Sequence, residues 1–184
     1  NSNSEGANVS QLVGKIRYSV IGMNEVYDQE FFYTDRPLVS KKDGNLDKFN
    51  FLRIEGSDIY VGPGNIVLAD DLIVPEMYKF HILPGTNIDL ISSSKIVSYS
   101  PVIMRGNSDS RIIVQSSDGT GEGILVLKAN GQSFMDFVDF SNQNLTDSSR
   151  TLTSVLTFYE SDVIIENSLF NNNSSEDVIN IIKS

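Results

Sequence analysis

The sequence predicts an all-β chain whose second half is a right-handed parallel β-helix of several coils. Three observations carry the prediction. Helical periodicity is nearly absent; short runs of Val, Ile, Phe and Tyr recur between Gly, Asn, Asp, Ser and Pro; and one strand pattern returns along the chain.

The runs place strands, in order, at 15–21, 30–33, 49–54, 59–61, 66–68, 72–74, 79–82, 88–91, 96–98, 102–104, 111–115, 124–128, 134–140, 152–159, 163–166 and 178–182. Between them lie residues that tolerate positive φ or bond their own backbone: Gly62-Pro-Gly64, Pro84–Asn87, Gly106–Asp109, Asp118–Gly123 and the Asn-rich 171–175. That last run reads as a polar turn, with a stacked asparagine ladder as the alternative. Residues 1–55 carry little of the repeat, and Phe31-Phe-Tyr33 and the acids Asp28, Asp35, Asp43 and Asp47 sit in longer polar links. This divides the chain into a β cap or linker segment, 1–55, and β-helix coils, 56–184. A cap would cover an exposed strand edge.

The repeat supplies the architecture. Val155–Ser161 returns as Val178–Ser184, matched in residue type 23 residues on, and 134–142 is echoed by 164–172, 30 residues on. Uneven spacing fits a coil whose loops take insertions while its strands hold register, each coil burying its apolar side only against its neighbours. Alternation predicts an inward column of Leu125 and Leu127, Leu156 and Phe158, and Ile179 and Ile181. Val126 and Lys128, Thr157 and Tyr159, and Asn180 and Ile182 then face outward, since an unpaired buried lysine is costly. Ser184 follows directly on a strand of a new coil, so the stack is expected to be truncated there.

Composition narrows the function. Lys and Arg number 14 against 24 Asp and Glu, a formal charge of −10, which phosphate backbones repel. No nucleic-acid partner is expected; divalent cations and glycans suit the charge better. The absence of cysteine excludes thiolate sites and disulfides, and no apolar run is long enough for a membrane helix, so membrane insertion is not expected.

Pro84-Gly-Thr-Asn-Ile-Asp-Leu90, with Lys95-Ile-Val-Ser-Tyr-Ser-Pro101, resembles the rung signature of pectate-lyase-like right-handed β-helices. Three further stretches resemble bacterial proteins in which such a helix follows a CotH kinase-like domain: 16–33, Thr157-Phe-Tyr-Glu-Ser-Asp162, and Ser175-Glu-Asp-Val-Ile-Asn-Ile-Ile-Lys-Ser184. The resemblance covers most of the chain, and its motifs are structural. It implies a cell-surface or secreted, extracellular setting and, in catalytic members, a polysaccharide substrate.

The candidate binding residues are Glu160, Asp162, Glu166, Glu176, Asp177 and Asn180, Glu176-Asp177 being the part that matches the family motif. Residues one coil apart lie about 4.8 Å apart, so several of these carboxylates could share a face and take Ca²⁺ through oxygen. No metal is assigned. Lys183 would stack under Glu160, where a salt-bridged ladder accounts for both. Paired carboxylates could equally serve a glycoside hydrolase. His81 is the only histidine, and a lone strand histidine is usually structural. The Asp118–Gly123 run mimics a phosphate loop, but a strand follows it rather than a helix, so turn chemistry explains it. An arginine is the usual proton-abstracting residue of the resembled lyases, which singles out Arg105 and Arg111. Tyr99 and Tyr159 could stack on sugar rings. The expected function is a non-catalytic module of a larger cell-surface or secreted protein, a scaffold or a surface for polysaccharide or sister domains. The alternative is a polysaccharide lyase or glycoside hydrolase.

Overall fold

The computed structural model describes residues 11–19, 22, 25–33, 43–145 and 154–184, leaving aside the side chains of 11–13 and 31–33. Asp35 and residues 20–21 and 152–153 of the expected strands lie outside them. Two compact units make up the chain, Asn1–Val39 and Ser40–Ser184. The expected segment 1–55 takes in the first unit and the start of the second.

In the first unit β1 (Gln11–Ser19) and β2 (Val26–Tyr33) form an antiparallel ribbon. Opposed side chains bind across it: Lys15 to Glu30 and Arg17 to Asp28, both at 2.7 Å, with Tyr18 stacked on Tyr27.

The second unit is a parallel β-helix of about four turns. Its strands come in five triplets: β4 (Asp58–Val61), β5 (Gly64–Leu68) and β6 (Leu72–Val74); β7 (Lys79–Ile82), β8 (Thr86–Leu90) and β9 (Ile96–Ser98); β10 (Val102–Arg105), β11 (Ile112–Gln115) and β12 (Ile124–Leu127); β13 (Ser133–Asp136), β14 (Val138–Ser141) and β15 (Ser154–Tyr159); β16 (Val163–Glu166), β17 (Leu169–Asn171) and β18 (Asp177–Ile182). The first members of the triplets stack into one parallel sheet, the second into another and the third into a third. Both echoes are pairing register: Leu156 lies beside Ile179, 23 residues on, and Phe134 beside Ile164, 30 on. Turns absorb the rest. Register partners are as close in sequence as Asp58 and Lys79 and as far apart as Ile124 and Leu156.

Alternation puts every second side chain inside. Phe80, Ile82, Ile88, Leu90, Val102, Met104, Ile112 and Val114 are all buried, each contributing about 1.5–3 kcal/mol by leaving water. The expected columns are corrected at three strands: Thr157 of β15, expected outward, is buried and bonded to Ser154; Ile181 of β18, expected inward, is about half exposed; and β12 is reversed. Ile124 and Val126 are fully buried beside Leu156 and Phe158, while Leu125 and Leu127 face out. The alternation ends at Leu127: Lys128 has φ +50°, so the chain turns there and its outward lysine says nothing of Val126. A left-handed Phe137, φ +51°, likewise divides the expected strand 134–140 into β13 and β14.

The start of the β-helix is closed by residues 43–55, where the expected strand 49–54 is mostly a turn. A single 3-10 turn (Leu46–Lys48) leads to β3 (Arg53–Glu55), which runs antiparallel along β4. Leu46, Phe49, Phe51 and Leu52 pack on the core. The Asn45 side chain donates to the Asp71 carbonyl at 2.7 Å and accepts from the Ile73 N–H at 2.8 Å. Backbone groups and apolar side chains at that end are thereby both covered.

Candidate functional site

The first sheet turns its outer face to solvent. Because Phe80 and Ile82 point in, His81 points out, and the register sets Tyr60, His81, Ile103, Phe134 and Ile164 side by side on successive strands. Beside this column run the turns joining the third sheet to the first: Pro75–Tyr78, Tyr99–Pro101 and Lys128–Gln132. Turns and column enclose a groove of about 650 Å³.

Its walls mix three chemistries. Tyr78, Tyr99 and Phe134 supply aromatic surface, and Asn130 and Gln132 supply amides. Lys79, Arg105 and Lys128, the last shared with Glu160 outside the lining, supply positive charge against the single lining carboxylate of Glu76. A chain of net charge −10 thus presents a locally cationic groove. The Arg105 guanidinium carbon lies 4.2 Å from the centre of the Phe134 ring, a cation–π contact.

His81 is held rather than loose. Its Nε2 lies 2.7 Å from the Asp58 carboxylate, and its ring stacks on Tyr60 with centroids 4.8 Å apart. The ring is thereby fixed on the floor of the groove.

The acidic residues singled out from the sequence are spread over two sheets. Glu160 follows β15, where Lys183 approaches at 3.3 Å and Lys128 at 3.6 Å, the salt-bridged ladder expected of Lys183. The Lys183 bond and the Lys128 charge lower the Glu160 pKa, and bonds to Tyr159 and Glu160 raise that of Lys183. Asp162 begins the next coil. Asp177 opens β18 beside Ser154, with Glu176 before it, and Asn180 lies beside Thr157. Six residues of strand separate the level of Asp177 from that of Glu160, about 20 Å. Glu166, at the end of β16, pairs with Asp136 and borders a small recess of about 180 Å³ that shares Arg105 and Phe134 with the groove. Among the described residues no three Asp, Glu or His side chains stand close enough together to hold a metal ion.

The remaining marked residues are accounted for locally. Arg111 clamps Asp139 with bonds of 2.9 and 2.6 Å and caps the Asn167 carbonyl. Asp118 accepts from the Ser92 N–H, from Ser116 and from Thr120, which holds its carboxyl at a pKa of about 2; that loop is a turn. Asn172 donates to Asn142 at 2.6 Å, so the Asn-rich run stacks for one step of a ladder as well as turning. Tyr159 lies under Lys183, and Tyr99 is in the groove.

Sequence reading missed Tyr78, Lys79, Lys128, Asn130, Gln132 and Phe134. They are scattered over several turns and strands, and only the coil lengths bring them together. The register was the available signal: His81, Ile103 and Phe134 are outward positions of consecutive coils.

No family model, curated protein or solved structure matches this chain.

Proposed function

We propose that the chain is a non-catalytic β-helix module of a larger cell-surface or secreted bacterial protein, and that the groove on its first sheet binds an acidic glycan. One observation carries the reading: three cations and three aromatic rings converge on a groove of about 650 Å³ in an otherwise acidic chain. Aromatic faces stack on sugar rings, amides bond hydroxyls, and cations meet carboxylate or sulfate groups. The resemblance to the β-helices that follow CotH kinase-like domains supports the setting.

The test is titration calorimetry with uronate oligomers and with neutral oligomers of the same length. Saturable binding of the uronates that weakens in Tyr99→Ala and in Arg105→Gln supports the proposal. Equal or absent binding of both sugars, or binding indifferent to both substitutions, overturns it.

A second reading, a polysaccharide lyase, is favoured by the His81–Asp58 pair facing the groove. The same incubations, with and without Ca²⁺, decide it: unsaturated uronate product that disappears in His81→Gln supports a lyase, and intact oligomer leaves binding alone.

A further inference from the structure

The lip of the groove carries a second kind of chemistry. Asn130-Gly131 is the only Asn-Gly pair in the sequence. Both residues are exposed, on the turn between β12 and β13, and Asn130 lines the groove. Glycine has no Cβ to shield its amide nitrogen from the side chain before it. Asparagines on other turns are restrained: Asn107 accepts from the Asp109 and Ser110 N–H groups, Asn142 is bonded to Asn172, and Asn173 is bonded at both ends. The Asn130 side chain makes no hydrogen bond among the described residues. Only the bond from the Gly131 N–H to the Ala129 carbonyl, 3.1 Å, opposes reaction, and it closes a tight turn open to solvent.

We infer that Asn130 is a site of spontaneous deamidation that resets the charge of the groove. The Gly131 nitrogen attacks the Asn130 side-chain carbonyl carbon, a C–N bond forms, and ammonia leaves carrying the amide proton. Water then opens the cyclic imide at either carbonyl, giving aspartate or isoaspartate. The net change is one water consumed and one ammonia released, with no oxidant or cofactor. The product is anionic at neutral pH. It puts a second carboxylate beside Glu76 in a groove whose cations are Lys79, Arg105 and Lys128. An added exposed charge of this kind weakens an anionic ligand roughly two- to fivefold. That binding consequence rests on the acidic-glycan reading; the reaction itself does not.

The experiment ages the purified chain at mildly alkaline pH and maps its tryptic peptides by tandem mass spectrometry. Conversion at Asn130, in the peptide that begins at Ala129, is expected to outrun every other asparagine and to be absent in Asn130→Ser. Unchanged Asn130, or conversion no faster than at Asn107 or Asn142, overturns the site. Uronate affinity is then compared between fresh chain, aged chain and Asn130→Asp. A matched loss in the last two supports the charge reset, and unchanged affinity in both overturns it. If the fresh chain binds no uronate while Asn130 converts, the glycan reading fails and the modification site stands.

Discussion

Replacing Gly123 by alanine would break the fit between two coils, and the structure supplies its own control. Gly123 precedes β12 with φ +77°, and a Cβ placed there would overlap the Val155 carbonyl oxygen, with the Val155 carbonyl carbon at 2.7 Å and Cα at 3.0 Å. Those atoms are backbone and belong to β15, so no side chain can swing aside. Gly119 has nearly the same conformation, φ +70°, but nothing lies within 4 Å of its Cβ position. Both substitutions incur the left-handed penalty of about 1–2 kcal/mol. Only Gly123→Ala must also push β15 away, which strains or loses bonds at the start of the β12–β15 pairing, where Ile124 lies beside Leu156. One or two such bonds add about 1–3 kcal/mol. Gly119→Ala should therefore cost about 1–2 kcal/mol and Gly123→Ala about 2–5 kcal/mol, or roughly 4–20 °C in Tm for a domain this size. Urea unfolding followed by far-ultraviolet circular dichroism measures both. Equal losses in the two variants would refute the close approach of the coils at Gly123.

Two further outcomes follow from the same geometry. Val126→Ser should destabilise by about 1–3 kcal/mol, because it removes buried methyl groups that lie between Ser98 and Phe158, whereas Leu125→Ser, on the outer face, should cost well under half as much; thermal denaturation that reversed this order would contradict the register of β12. Asp118 is held at a pKa of about 2 against its ordinary 3.8, so its carboxylate contributes stability that is complete above about pH 4 and lost as pH falls toward 2; Asp118→Asn should be less stable than the native chain at pH 7, with the gap closing below pH 3 in a series of urea midpoints, and a gap independent of pH would refute the assignment.

The β-helix was legible because parallel stacking sets like on like. Val155–Ser161 over Val178–Ser184 is a repeat in the sequence because the two segments are neighbours in one sheet. The facing of a single strand was less legible. Lys128 reads as an outward marker for its own parity, but parity holds only while backbone dihedrals stay extended, and they change at Lys128 itself. The start of the coils was harder again: Phe49 and Phe51 look like strand residues, yet they pack as a plug behind a 3-10 turn. The groove could not be read locally. Tyr78, Tyr99, Lys128 and Phe134 are neighbours only after three coils of unequal length have been wound, and no short-range pattern encodes that sum. The acidic residues were conspicuous for the opposite reason: they are close in sequence, while the coil carries Glu160 and Asp177 to opposite ends of one sheet.

The unequal coil lengths have a consequence for how such a protein can change. Register partners are 21 residues apart between Asp58 and Lys79 and 32 apart between Ile124 and Leu156, yet the strands stay aligned. Length is therefore a free variable at each corner, decoupled from the packing that sets stability. The floor of the groove belongs to the aligned strands, and its walls belong to the corners. Selection can recharge the exposed wall positions Lys128, Asn130 and Gln132 without repacking the strands beneath, while the buried Ala129 between them stays with the core. The chemistry of the groove's rim and the stability of the fold are thus carried largely by different residues, and drift in the first need not erode the second.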